Sequence, residues 1–228
     1  MLGLLIALVT CLVVVGSGLR VRRRRNTFLG AVVRGDPAEV RALVDSGYGV
    51  GIADNRGDTA LHYASYAGDD DLVQTLLALG ARQDAHNRDG LLPHQLAEVA
   101  EVELRLDELA ALRHPAGDEE VSRAAELAEE LRPYHPDPVY PAALSNVLAR
   151  TADGEPLRGV LETAIRLGRA DLLAVLEPEL QSRGDRGIAE DFLNSGSRLG
   201  YAAQQWAAGH GFAITAHGRG DRAAWGRL

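Results

Sequence analysis

Glycines near the start of the chain recur at a fixed spacing, and this spacing constrains the fold more than any other feature. Three glycines recur 33 residues later, in the pairs Gly35 and Gly68, Gly47 and Gly80, and Gly57 and Gly90. Apolar residues keep the same register, since Ala31, Ala64 and Ala97 lie at successive steps of 33. Such a period is typical of stacked helical repeats, which offer a binding surface rather than a catalytic pocket.

Each repeating unit is predicted to contain two helices and a projecting turn. Thr59 can cap the first helix, and Gly68 permits the turn that closes it. The apolar stripe of a second helix follows at Leu72, Val73, Leu76 and Leu77. Gly80 ends that helix, and the polar residues up to Gly90 favour a turn, here called a finger. The predicted fold class is therefore all-α.

At this point the sequence resembles the ankyrin repeat. The signature of that family is Asp-x-x-Gly-x-Thr-Pro-Leu-His-x-Ala with a Gly-Ala ending. It stands in this chain as Asp54, Gly57, Thr59, Ala60, Leu61, His62 and Ala64, closed by Gly80 and Ala81, with only the proline replaced. The resemblance implies an ankyrin-like helical solenoid over residues 26–112, and a structural His62 that bonds the backbone and the Thr59 hydroxyl.

The three repeats match the family pattern unequally. The central repeat, residues 54–86, is the strongest match, whereas residues 26–53 keep the glycines and the apolar stripe but lack the Thr-x-Leu-His box. In the third, His94 stands where leucine is expected, and the second helix lacks flanking glycines. We therefore expect a degenerate third repeat, whose apolar side is covered by the C-terminal helices; a separate helical domain on a linker is the alternative.

The first 25 residues predict a membrane anchor with a polybasic flank. Residues 2–19 carry no charge and would reach roughly 27 Å as a helix, enough to cross a thin bilayer. The flanking charges follow the apolar run, at Arg20, Arg22, Arg23, Arg24 and Arg25. A cleaved leader would carry them before it. Arginine collects on cytoplasmic flanks, so we expect a single-pass inner-membrane protein with a cytoplasmic C-terminal domain.

Small residues inside the apolar segment raise two further points. Gly3, Ala7 and Cys11 recur at every fourth position, which would let two membrane helices pack into a weak homodimer. Scattered small residues without such a role are the alternative.

Cys11 is the only cysteine, so no intramolecular disulfide can form. Thr10 before it is too large for the usual lipoprotein site, which argues against lipidation.

Composition limits the classes of partner. The formal net charge is −8, and the arginines beside the anchor are segregated from an acidic body, which argues against nucleic acid. All 24 basic residues are arginine, which beside abundant alanine, leucine and glycine indicates GC-rich coding, as in many bacteria. No two of the seven histidines stand three or four residues apart, and no phosphate-binding loop or nucleophile elbow is present. We expect no metal, no cofactor and no enzyme activity.

Beyond the repeats we expect a helical region over residues 113–210 and a flexible tail over residues 211–228. Apolar periodicity predicts helices over 118–131, around 144–148, over 157–165 and 172–176, over 188–193 and over 199–208. Prolines between 133 and 141 predict an extended connector. The spacing around Gly168 echoes that around Gly68, which suggests that the solenoid continues in altered form.

The resemblance also implies where a partner would bind, namely the finger tips and the face of the shorter helices. Carried over residue by residue, these positions are Asn55, Arg56, Asp58, Tyr66, Arg88, Asp89 and Leu91. Solvated turn residues without a role are the alternative for each. Tyr66 is the best single candidate, because a tyrosine offers apolar area with a polar tip. Arg56 and Arg88 side by side would suit acidic or amide groups.

These expectations combine into a membrane-anchored protein-protein interaction module that acts as a scaffold or regulator. One alternative is an immunity or inhibitor protein that occludes a toxin or enzyme. Another is a small hydrolase-like activity in the C-terminal region, centred on Asp191 or His210.

Overall fold

The computed structural model describes residues 21–112, 116–132, 138–166, 172–195, 197–216 and 224–227. The chain divides into two units, the first ending at Ala100 and the second beginning at Glu101. The anchor predicted over residues 2–19, together with Arg20, lies outside the described residues. In the part of the chain that is described, no helix combines the length and the apolar character needed to cross a bilayer.

The first unit repeats a pattern of two helices and a finger. Its helices are α1 (residues 21–33), α2 (Pro37–Asp45), α3 (Ala60–Tyr66), α4 (Asp70–Ala78) and the beginning of α5 (Pro93–Ala111). Its core consists of small and large apolar residues from α1 to α4, namely Phe28, Leu29, Ala31, Val32, Val40, Ala60, Leu61, Ala64, Leu72 and Leu76. The ankyrin-like arrangement predicted from the 33-residue period is confirmed.

The periodic glycines take the same backbone conformation in successive repeats. Gly35 and Gly68, which close the first helix of each repeat, have φ of 66° and 65°. Gly57 and Gly90, in the fingers, have φ of 84° and 79°. L-residues rarely adopt these angles, so the glycine spacing fixes where each helix turns. At the next step of 33 the chain carries Glu101, and α5 continues through it as one 19-residue helix.

Two glycine substitutions test this arrangement. Gly68→Ala is expected to cost about 1 kcal/mol, because only the left-handed backbone opposes the new methyl group and nothing lies within 4 Å of it. Gly57→Ala should cost more, about 1–2 kcal/mol, because its Cβ would also lie 3.2 Å from the backbone of Asn87 and Arg88. Urea unfolding followed by circular dichroism compares the two, and an equal shift would contradict close packing of the fingers.

Helix α1 includes part of the predicted polybasic flank. The helix is continuous across the boundary that the sequence placed between residues 25 and 26. Phe28 is fully buried, and its ring stacks on that of Tyr48 with centroids 6.4 Å apart. The arginines at 22–25 therefore lie on the same helix as the buried residues of the first repeat.

The second unit takes in the end of α5 and six further helices among the described residues. These are α6 (Asp118–Leu131), α7 (Val139–Arg150), α8 (Glu155–Arg166), α9 (Leu173–Arg183), α10 (Arg186–Asn194) and α11 (Ser197–Gly209). The helix predicted over 118–131 has those bounds. Helix α7 begins inside the predicted connector, since Pro141 lies in its first turn, where its missing N–H costs nothing.

The packing of α8 and α9 differs from that of an ankyrin hairpin. Helix α8 packs on α7 and α10, whereas α9 packs on α7 and α11. Each of these two helices thus packs on other helices of the second unit. The similar spacing around Gly168 and Gly68 did not predict these packing partners. Gly168 itself lies outside the described residues.

The segment expected to be a flexible, structureless tail contains two strands, which corrects the all-α expectation. Strand β1 (Phe212–Ala216) pairs antiparallel with β2 (Ala224–Arg227). The guanidinium of Arg186 lies over the rings of Phe212 and Trp225, at 5.4 and 5.2 Å from their centroids. Phe212 also stacks on Trp206 of α11. These aromatic contacts hold the hairpin onto helices α10 and α11.

Candidate functional site

The first finger, residues 53–59, is organised by Asp54. Its Oδ1 accepts hydrogen bonds from the backbone amides of Arg56 and Asp58, both at 2.8 Å, and Oδ2 accepts one from the Tyr63 hydroxyl at 3.1 Å. Burial, and then the charge of Asp54, raise the pKa of the Tyr63 hydroxyl, which keeps it a donor. The finger is therefore fixed by its own side chains.

The second finger repeats this design with an amide. Asn87 stands 33 residues after Asp54, and its Oδ1 accepts from the backbone amides of Asp89 and Leu91 at 3.0 and 2.9 Å. Its Nδ2 donates to Oδ1 of Asp58 at 2.7 Å, a bond that a carboxylate could not make. Asn87 thus links the two fingers. The sequence analysis missed this role of Asn87, although its position 33 residues after Asp54 could have identified it.

The two fingers are joined side by side through equivalent positions. The amide of Arg88 donates to the carbonyl of Arg56 at 2.8 Å. The guanidinium of Arg56 donates to Asp89 at 3.0 Å, and this hydrogen bond is the main cause that raises the pKa of Arg56. Positions 56 and 89 are one repeat apart. The backbone and side-chain hydrogen bonds of Arg56 therefore join equivalent parts of successive fingers.

His62 connects the finger to the following repeat. The Thr59 amide donates to His62 Nδ1 at 3.2 Å, and the Thr59 hydroxyl lies 2.8 Å from the same atom. Since Nδ1 accepts from the amide, the proton sits on Nε2, which donates to the Leu91 carbonyl at 3.1 Å. The structural role implied by the ankyrin resemblance is confirmed.

The candidate partner-binding residues occupy different environments. Asn55, Arg56, Arg88 and Asp89 are exposed on the two fingers, and the Tyr66 side chain is 39% exposed at the end of α3. We call these five residues the finger surface. Asp58 is half-buried in the link to Asn87.

Leu91 does not belong to this surface, which corrects the sequence-based assignment. Leu91 is only 1% exposed. Its backbone amide donates to the Asn87 side chain, and its carbonyl accepts from the His62 imidazole. Its position in the repeat suggested a finger tip, but these contacts draw it into the core. A partner cannot reach its side chain without opening the repeat.

An apolar residue next to the finger surface was missed. Val33 lies one repeat before Tyr66 in the same register and is 68% exposed at the end of α1. The two side chains occupy equivalent positions on consecutive repeats, so the surface includes apolar area beside its polar fingers. The 33-residue step could have identified Val33, had it been applied to exposed residues as well as core residues.

Two arginines of the polybasic flank contact the repeats. The Arg25 guanidinium donates to Oδ1 of Asn55 at 2.8 Å, and that of Arg24 lies 5.1 Å from the centroid of the Tyr48 ring. Arg22 and Arg23 are exposed. The sequence predicted a polybasic flank beside the anchor, and the structure shows that two of its side chains hold α1 to the repeats.

The residues of the alternative catalytic centre are bound to different partners. Asp191 accepts two hydrogen bonds from Arg158, at 2.8 and 3.1 Å. His210 Nδ1 lies 2.8 Å from the Trp206 carbonyl, and its ring stacks on Trp206. Within the described ranges, no three His, Cys, Asp or Glu side chains gather where a metal ion could bind.

Comparison with known proteins identifies the first part of the chain. Residues 3–89 match the sequence model described as ankyrin repeats (3 copies). The match contains both helices of the first two repeats and all five residues of the finger surface, and it begins within the apolar segment 2–19. No curated protein matches the chain. Residues 3–89 are therefore similar to ankyrin repeats, which indicate a protein-protein interaction module in this part of the chain.

Proposed function

We propose that this chain is a membrane-tethered scaffold or regulator that binds another protein on the finger surface. The supporting observation is the internal bonding of the fingers. The side chains of Asp54, Asn87 and His62 use their hydrogen bonds to fix the fingers, so the exposed side chains stand on a preformed backbone. A preformed surface loses little conformational entropy on binding, so it supports affinity without further ordering.

The chemistry of the finger surface favours a partner with mixed apolar and polar groups. Tyr66 and Val33 offer apolar area, Arg88 and Asn55 offer hydrogen-bond donors, and the pair of Arg56 and Asp89 offers both charges. Tyrosine and arginine are the residues that most often dominate binding energy at protein interfaces. The expected anchor points are therefore Tyr66 and the two finger arginines.

Support for the tether comes from the sequence. The uncharged residues 2–19 followed by arginines have the pattern of an anchor whose C-terminal side is cytoplasmic. Attachment would raise the local concentration of a membrane-bound partner, so a modest affinity would suffice. A compartment-sensitive reporter fused after Leu228 tests this part, and activity of the reporter in the periplasm would overturn the proposed topology.

Substitution of the finger arginines tests the binding surface. Crosslinking in membranes followed by purification should identify a partner of the wild-type chain. The double variant Arg56→Ala and Arg88→Ala, and separately Tyr66→Ala, should each bind that partner at least about tenfold more weakly, since anchor residues contribute roughly 1–2 kcal/mol or more. Affinity is measured with the purified partner.

A matched control separates the surface from general charge. Arg132→Ala removes an exposed arginine of the second unit that pairs with the neighbouring Glu129. This variant should keep the wild-type affinity. If it weakens binding as much as the finger variants do, or if the finger variants bind normally, the finger surface is not the docking site.

A further inference from the structure

Helix α1 presents two different faces in the polybasic flank. At about 100° per residue, Arg22, Arg23, Asn26 and Thr27 fall on one face, and Arg24 and Arg25 fall on the other. The structure agrees with this division, because the four residues of the first face together line a shallow pocket. The four consecutive arginines therefore do not share one environment.

The face of Arg24 and Arg25 is occupied by the first unit itself. Arg24 lies over the Tyr48 ring, and Arg25 donates to Asn55. Phe28 and Leu29, in the next turn, are buried. These two arginines are therefore used to seat α1 against the repeats.

The opposite face carries the guanidinium groups of Arg22 and Arg23. Among the described residues, the ion pairs of the first unit do not include Arg22 or Arg23, and both side chains are exposed. The amide of Asn26 and the hydroxyl of Thr27, which donates to the Arg23 carbonyl at 3.0 Å, complete the pocket. Paired guanidinium groups with a neighbouring side-chain amide can donate to the oxygens of a phosphate, whereas the Thr27 hydroxyl already donates to the Arg23 carbonyl.

We propose that the pocket of Arg22, Arg23, Asn26 and Thr27 binds a phosphate group, whereas Arg24 and Arg25 have a positioning role. If the chain is tethered as proposed above, the phosphate would be that of an anionic lipid headgroup beside the anchor. Free phosphate offers the same chemistry. The inference about the pocket rests on the proposed function only for the choice between these two sources.

Two charge-matched double variants of the full chain test the division. Arg22→Gln with Arg23→Gln, and Arg24→Gln with Arg25→Gln, each remove two positive charges from the same turns of α1. The full chain in uncharged detergent micelles is titrated with micelles doped with phosphatidylglycerol, and separately with inorganic phosphate. The first pair should weaken binding about thirtyfold, since each arginine near an anionic lipid contributes about 1 kcal/mol. The second pair should change it less than about threefold and should lower the melting temperature.

The outcomes separate the alternatives. If the chain binds phosphatidylglycerol and inorganic phosphate does not displace it, the site belongs to a lipid headgroup. If the chain binds inorganic phosphate and phosphatidylglycerol does not displace it, the site belongs to free phosphate. Equal losses for the two pairs, or no binding of either probe, would overturn the proposed pocket. A reporter that places Leu228 outside the cytoplasm would refute the proposed topology while leaving a measured phosphate site intact, so the two failures are distinguishable.

Discussion

Phe28→Ala is expected to lower the free energy of unfolding by about 3–5 kcal/mol. The side chain is fully buried in α1, where it packs within the core of the first unit and stacks on Tyr48. Removal of a buried phenylalanine loses the transfer free energy of the ring and leaves a cavity. The midpoint of urea unfolding, followed by circular dichroism in uncharged detergent, measures the loss.

A second substitution on the same helix provides the control. Val33→Ala removes an apolar side chain that is 68% exposed, so it should change stability by no more than about 0.5 kcal/mol. Together, the two variants ask whether α1 contributes its buried face to the core of the first unit. Equal effects would mean that it does not.

The repeats could be predicted from the sequence because their signals are local and periodic. A glycine with positive φ marks a turn by itself, and the repetition of Gly35 at Gly68 marks the same turn twice. The third repeat was only partly predictable. The absence of a glycine at Glu101 indicated a degenerate repeat, but whether a helix then ends or continues depends on packing, and in this chain it continues to Ala111.

The finger surface was harder to predict, because exposure depends on contacts distant in sequence. Leu91 stands at a finger position and is nevertheless buried, since His62, 29 residues earlier, bonds its carbonyl. Arg56 was expected to face a partner beside Arg88, but its guanidinium also holds Asp89. Repeat position identifies the neighbourhood of each side chain and leaves its hydrogen-bond partners undetermined.

The C-terminal hairpin was missed for a similar reason. Phe212 pairs with Arg227 across a sequence with several glycines, and such a composition alone suggests an unstructured segment. Short strands carry a weak pattern, and this pair is held by Arg186 and Trp206, whose positions follow from the packing of α10 and α11. Two aromatic residues, Phe212 and Trp225, flanking the glycines were the only local signal.

His62→Ala is expected to cost about 2–4 kcal/mol, because one buried side chain joins three groups. The imidazole accepts from the Thr59 amide, contacts the Thr59 hydroxyl and donates to the Leu91 carbonyl. Alanine would remove one of the two donors to the buried Leu91 carbonyl, which would keep only the Asn87 amide at 3.0 Å, and would also create a cavity. The effect should include the second finger, because Leu91 is also bonded to Asn87.

His94→Ala is the matched control for this prediction, since it removes the same side chain from an exposed position near the start of α5. It should change stability by less than about 0.5 kcal/mol. Hydrogen exchange provides the second measurement: His62→Ala should speed exchange of the Leu91 and Asp89 amides, which Asn87 holds, whereas His94→Ala should not. If His62→Ala is as mild as His94→Ala, the fingers do not depend on the imidazole, and the proposed rigid docking surface loses its physical basis.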